Sequence, residues 1–128
     1  MKYVKLILIA GVTLLMFGYF QCSETAPTTD TQAQMLAKKQ QIMNLIQSAG
    51  CDDNGCGFIA FGVKPCGGPW EYLIYPNQID VEQLTTWVNE YNALNELWNI
   101  QTNAVSDCAM VMPPNALTCT NGACVIAE

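Results

Sequence analysis

The sequence predicts a small disulfide-stapled α+β domain, its elements in the order α-β-β-α-β-β, with an antiparallel sheet packed against two helices. Three observations lead there. Two segments repeat apolar residues at helical spacing, four short runs have strand composition bounded by turn residues, and six of the seven cysteines stand at position 51 or beyond. A chain of 128 residues has room for one such domain and not for two.

The first helix is expected over residues 31–49, where Met35, Ile42, Ile46 and Ala49 share one face and Gly50 offers a left-handed stop. Residues 51–56 (CDDNGC) have turn composition, and buried strands are expected over 57–63 (GFIAFGV) and 71–75 (EYLIY). Between the strands, two prolines and a Gly-Gly pair in residues 64–70 (KPCGGPW) exclude regular structure. The second helix has the clearest start. Asp80 is an N-cap, Gln83 completes a capping box, and Ile79 can staple onto Leu84. It runs to about Gln101, with Leu84, Trp87, Val88, Tyr91, Leu94 and Trp98 on one apolar arc, so the aromatics read as core. Residues 108–112 (CAMVM) read as a strand ended by Pro113 and Pro114. Residues 117–126 read as a hairpin turning at Asn121-Gly122, a type I′ signal that sets Cys119 opposite Cys124.

The N-terminus is of another kind. Lys2 and Lys5 precede an apolar run from Leu6 to Phe20, the length of a signal-peptide core and short for a membrane span of roughly 20 residues. Residues 1–21 are therefore read as a signal peptide. Tyr19-Phe20-Gln21-Cys22 follows the run, and in that position it resembles the lipobox of bacterial lipoproteins, with aromatics and Gln21 where small or aliphatic residues are usual. The resemblance implies cleavage before Cys22, its acylation, and attachment to the membrane by an N-terminal lipid. Residues 23–31 (SETAPTTDT) are polar and Thr-rich, so residues 22–31 are expected to form a lipid anchor and flexible tether, and 32–128 the globular domain.

The cysteine count agrees with export. Setting Cys22 aside leaves Cys51, Cys56, Cys66, Cys108, Cys119 and Cys124, an even set that predicts three disulfides among 15 connectivities. A Cys119–Cys124 bridge is one geometrically allowed pairing.

Composition narrows the activities. The chain has 5 Lys+Arg against 11 Asp+Glu, and losing Lys2 and Lys5 takes its net charge from −6 to −8. Three lysines cannot form the cationic footprint that nucleic acid requires, and an acidic domain gains nothing from an anionic lipid surface. With no histidine, the commonest general base and the Ser-His and Cys-His arrangements are absent. The cysteine spacings contain no C-x-x-C, which argues against zinc and thioredoxin-like redox work, so no metal or cofactor is expected. Asp52, Asp53 and Asn54 lack the order and the distal glutamate of a calcium loop. No pair of carboxylates stands out among Glu71, Glu82, Glu90 and Glu96, and no catalytic residue is assigned.

What remains is the 64–70 loop. A proline-rich loop tied down at Cys66 loses little entropy on docking, and tryptophan is enriched at binding hot spots. Lys64, Pro65, Gly67, Gly68 and Trp70 are thus the candidate binding residues of a non-enzymatic, lipid-anchored envelope module with a protein partner, in its sharpest form a hydrolase inhibitor. The alternatives are a structural envelope lipoprotein without a soluble ligand, and an enzyme or small-molecule binder of a kind not recognised. Solvent exposure of Trp70 discriminates a binding edge from a core cap.

Overall fold

The computed structural model describes residues 27–127; the predicted signal segment, Cys22, the start of the tether and Glu128 lie outside the described residues. In chain order the elements are α1 (Pro27–Ile46), β1 (Cys56–Phe61), β2 (Glu71–Pro76), α2 (Val81–Thr102), β3 (Leu117–Thr120) and β4 (Ala123–Ile126). The class and order are those expected. The four strands form two separate antiparallel ribbons, β1–β2 and β3–β4, in place of one sheet.

Alternation along the first ribbon decides which face is covered. Ile59, Phe61, Leu73 and Tyr75 point toward the helices, where Ile42, Phe61, Ile79, Leu84 and Val88 form the buried core. Phe61 stacks on Tyr91 of α2 with ring centroids 4.1 Å apart, and Trp87 packs against the same cluster. Five buried side chains, four of them fully so, at about 2 kcal/mol each make a modest core. The opposite face carries Phe58, Ala60, Tyr72 and Ile74, with no helix over it among the described residues, and Phe58 meets Tyr72 edge to face at 5.6 Å.

Local signals hold best where they are complete. The Asp80 carboxylate accepts a 2.8 Å bond from the Gln83 N–H, and both Ile79 and Leu84 are buried in the core. Asn121 and Gly122 take φ of 52° and 78°, as a type I′ turn requires, and Cys119 stands opposite Cys124 in the β3–β4 register.

Several expectations need correction. α1 begins at Pro27, so residues 27–31 are helical and not tether. A proline is tolerated in a first turn whose N–H groups have no partner, and Asp30 there complements the helix dipole. The same helix ends at Ile46, and Gly50 has no left-handed φ. Gly50 instead approaches the second ribbon, where a Cβ on it would lie 3.0 Å from the Gly122 carbonyl oxygen. β1 stops at Phe61 because Gly62 turns out of the ladder with φ 75°. Residues 108–112 form no strand: Cys108 has φ 53°, and no ladder partner lies beside the segment among the described residues.

The disulfides are Cys51–Cys119, Cys56–Cys124 and Cys66–Cys108. The Cys119–Cys124 pairing does not form. Opposed residues of a hairpin point to the same side, and here that side faces the Cys51–Cys56 turn, which meets each thiol with one of its own. A first bridge spanning 68 residues also restricts the unfolded chain more than one closing a hairpin, by about 2 kcal/mol.

Candidate functional site

The 64–70 loop closes the β1–β2 ribbon, and three independent fasteners hold it. The first is a stripe of asparagines on α2. The Asn92 Oδ1 accepts from the Gly62 N–H and the Asn95 Oδ1 from the Val63 N–H, both at 2.8 Å. Asn99 donates to the Val63 carbonyl at 2.7 Å. Spaced i, i+3 and i+7, the three share one helical face and give partners to the backbone groups released where the strand ends. The second fastener is Cys66–Cys108.

The third is Lys64. Its side chain is 5% exposed, and the ammonium donates to the Ala109 carbonyl at 2.6 Å and to the Asp107 carboxylate at 3.3 Å. The same nitrogen lies 5.3 Å from the Trp70 ring centroid, a cation–π distance. Bonds from the Ala109 N–H and from Lys64 hold the Asp107 carboxyl below the ordinary carboxylate range. Lys64, expected at a binding edge, is therefore buried, and it ties the loop to the coil that follows α2.

The other expected site residues stand outside. Pro65, Gly67, Gly68 and Trp70 are exposed. The backbone between them is a closed turn: the Lys64 N–H donates to the Gly68 carbonyl and the Gly67 N–H to the Lys64 carbonyl, at 2.9 and 2.8 Å. Gly67 and Gly68 both have positive φ, so a side chain there would strain the turn. Trp70 is 43% exposed. One edge of its indole rests on Gly62, where a Cβ would come within 2.7 Å of the ring.

Trp70 also opens a groove of about 370 Å³ that the sequence does not announce, lined by Tyr72 and Ile74 of the uncovered ribbon face and by Met112, Pro113 and Ile126. Met112 is 70% exposed. Val111 and Met112, the end of the run expected to be a strand, are instead the far wall of this groove. A depression of about 410 Å³ lies on the other side of the loop, between Cys66–Pro69 and Cys108–Val111, and two further ones lie away from it. One of about 460 Å³, beside Gly122, is lined largely by small residues and by the turn after α1. Another of about 510 Å³ lies between the helices, alongside the 2.6 Å Lys38–Glu90 ion pair. Neither joins an exposed aromatic to a fastened loop.

The charge balance of the described surface is acidic. Lys38, Lys39 and Lys64 each meet a carboxylate, Glu90, Glu71 and Asp107 in turn. Asp53, Glu82 and Glu96 are exposed without such a partner among the described residues. In the Asp52 turn, the Asn54 N–H donates to the Asp52 carboxylate at 2.7 Å, which with Gln78 holds that carboxyl below its usual range.

No protein-family model, curated protein or solved structure matches this chain. Its class is set by its own residues: a small α+β domain with three disulfides, the mark of an extracytoplasmic or secreted protein. Among the described residues no helix is long and apolar enough to cross a membrane.

Proposed function

We propose that this is a non-enzymatic binding module, held at the cell envelope by a lipid on Cys22, that captures a cationic protein with Trp70 and the apolar groove beside it. A secreted hydrolase, inhibited by the capture, is the sharpest form of the reading. The observation that carries it is a half-exposed indole on a loop fastened by a disulfide, a buried lysine and three asparagines. Most side chains that fix the loop are spent inward, while the surface left outward is apolar and aromatic. Such preorganisation lowers the entropy lost on docking. The sign of the partner's charge follows from the acidic balance of the chain, −6 before and −8 after loss of Lys2 and Lys5, and from ion-paired lysines.

The test is calorimetric titration of the oxidised protein against a panel of basic secreted hydrolases. Binding should weaken as salt rises, and Trp70→Ala should cost roughly 2 kcal/mol or more of affinity with little change in stability. Binding that is indifferent to Trp70→Ala, or a loss of stability in place of affinity, would refute the reading.

A further inference from the structure

Cys51 and Cys56 flank one tight turn, and Cys119 and Cys124 flank another, so each pair has the spacing C-x4-C. The fold lays the two turns face to face. Two bridges cross between them, with Cα–Cα separations of 5.7 and 5.8 Å. The sulfurs of Cys51, Cys56 and Cys124 all lie within 4.8 Å of one another, and Cys119 is bonded to the first of these. All four cysteines are half-buried. The turns also meet without sulfur, the Cys51 N–H donating to the Gly122 carbonyl at 3.0 Å.

The two C-x4-C turns bring three sulfurs to one point and carry the fourth, Cys119, on a bond to one of them; four cysteines in two such pairs are the donor set and spacing of a structural zinc site. Metal–sulfur bonds of about 2.3 Å in a tetrahedron set the sulfurs roughly 3.8 Å apart, within the span observed. No cation competes nearby, since the three lysines of the described residues are engaged with Glu90, Glu71 and Asp107. Asp52 and Asp53, exposed on the first turn, favour the approach of a cation.

We propose that Cys51, Cys56, Cys119 and Cys124, when their two bridges are open, bind one Zn²⁺ ion that keeps β3–β4 where the disulfides otherwise keep it. This is the state of the chain before its bridges close, or after a dithiol has opened them. Each bridge takes two electrons and two protons from one dithiol, which leaves as its own disulfide, so two dithiols release four thiols. The zinc ion displaces four protons. Re-oxidation by two disulfide acceptors, which take up four electrons and four protons and leave as dithiols, reforms both bridges and frees the ion. Cys66 and Cys108 belong to the loop and take no part.

The experiment uses the full chain, reduced with a phosphine under inert gas and titrated first with Co²⁺ and then with Zn²⁺. One Co²⁺ per chain should bind, with the intense visible bands of a tetrahedral thiolate site, and one Zn²⁺ should displace it. Absence of those bands overturns the proposal. Iodoacetamide labelling read by mass spectrometry locates the site without any substitution. Zinc should slow labelling of Cys51, Cys56, Cys119 and Cys124 roughly tenfold or more and leave Cys22, Cys66 and Cys108 unchanged. Protection spread evenly over all seven, or falling on Cys66 and Cys108, also overturns it. Cys56→Ser with Cys124→Ser should abolish the cobalt bands; bands that survive in that variant refute the assignment.

Discussion

At the scale of a residue, Lys64 shows how burial and charge divide one side chain between two tasks. Its stem is buried, while its head lies over the Trp70 ring and reaches a carbonyl and a carboxylate of the distant coil. Asp107 is itself 70% exposed, so removing the lysine strands no buried charge, and the stem matters more than the ion pair. Lys64→Ala should therefore cost about 2 kcal/mol or more of stability through lost packing, whereas Lys64→Met, which keeps the stem, should cost under about 1 kcal/mol. Chemical denaturation of the three proteins checks the order; equal losses would mean that the charge dominates. The acid limb carries the sign of the pair. Because the Asp107 carboxyl is held below its ordinary value, its contribution is complete above the unfolded value of about 4 and fades as pH falls through the folded one. Wild type should lose stability in that acid range faster than Asp107→Asn.

At the scale of an element, α2 is both half of the core and the clamp of the loop. Leu84 and Val88 face the core, and Asn92, Asn95 and Asn99 take over where the apolar stripe meets the end of β1. Asn95 is 6% exposed. Asn95→Ala would leave the Val63 N–H without its partner, at a cost of about 1–3 kcal/mol. It should also free the 64–70 loop, read as greater quenching of Trp70 fluorescence by iodide; an unchanged quenching profile would show that the other two fasteners suffice. The legibility of each element follows the reach of its signals. The start of α2 was readable because Asp80, Gln83, Ile79 and Leu84 lie within six residues, and the β3–β4 turn because Asn121-Gly122 is complete in two. The opening of α1 was hidden by composition, since threonines and a proline read as tether until Asp30 and Pro27 are seen as first-turn residues. Residues 108–112 have strand composition, but their apolar side chains border surface depressions and not a core. Lys64 could not be placed by its neighbours in sequence, its carboxylate partner being 43 positions away. The asparagine stripe was visible at i, i+3 and i+7, but nothing local says which backbone it serves.

At the scale of the molecule, stability rests on covalent topology as much as on the core. Cys51–Cys119 and Cys56–Cys124 each span 68 residues and close nearly the same loop. Either alone keeps the C-terminal ribbon in place, and the second then closes an effective loop of only about a dozen residues, worth about 3 kcal/mol. With both gone, β3 and β4 form a ribbon of four-residue strands, too short to persist by itself. Loss is therefore expected to be cooperative. Cys51→Ala with Cys119→Ala should lower stability by about 3 kcal/mol yet leave the amides of β3 and β4 protected from hydrogen exchange. The same should hold for Cys56→Ala with Cys124→Ala. Removing all four should expose those amides while α1 and α2 stay protected, because the core cluster contains no residue of the second ribbon. If either pair alone released the ribbon, the two bridges would be holding different structures. If the fourfold variant kept it protected, packing against β2 and the Cys51–Gly122 backbone bond would be enough, and the disulfides would serve only to restrict the unfolded chain.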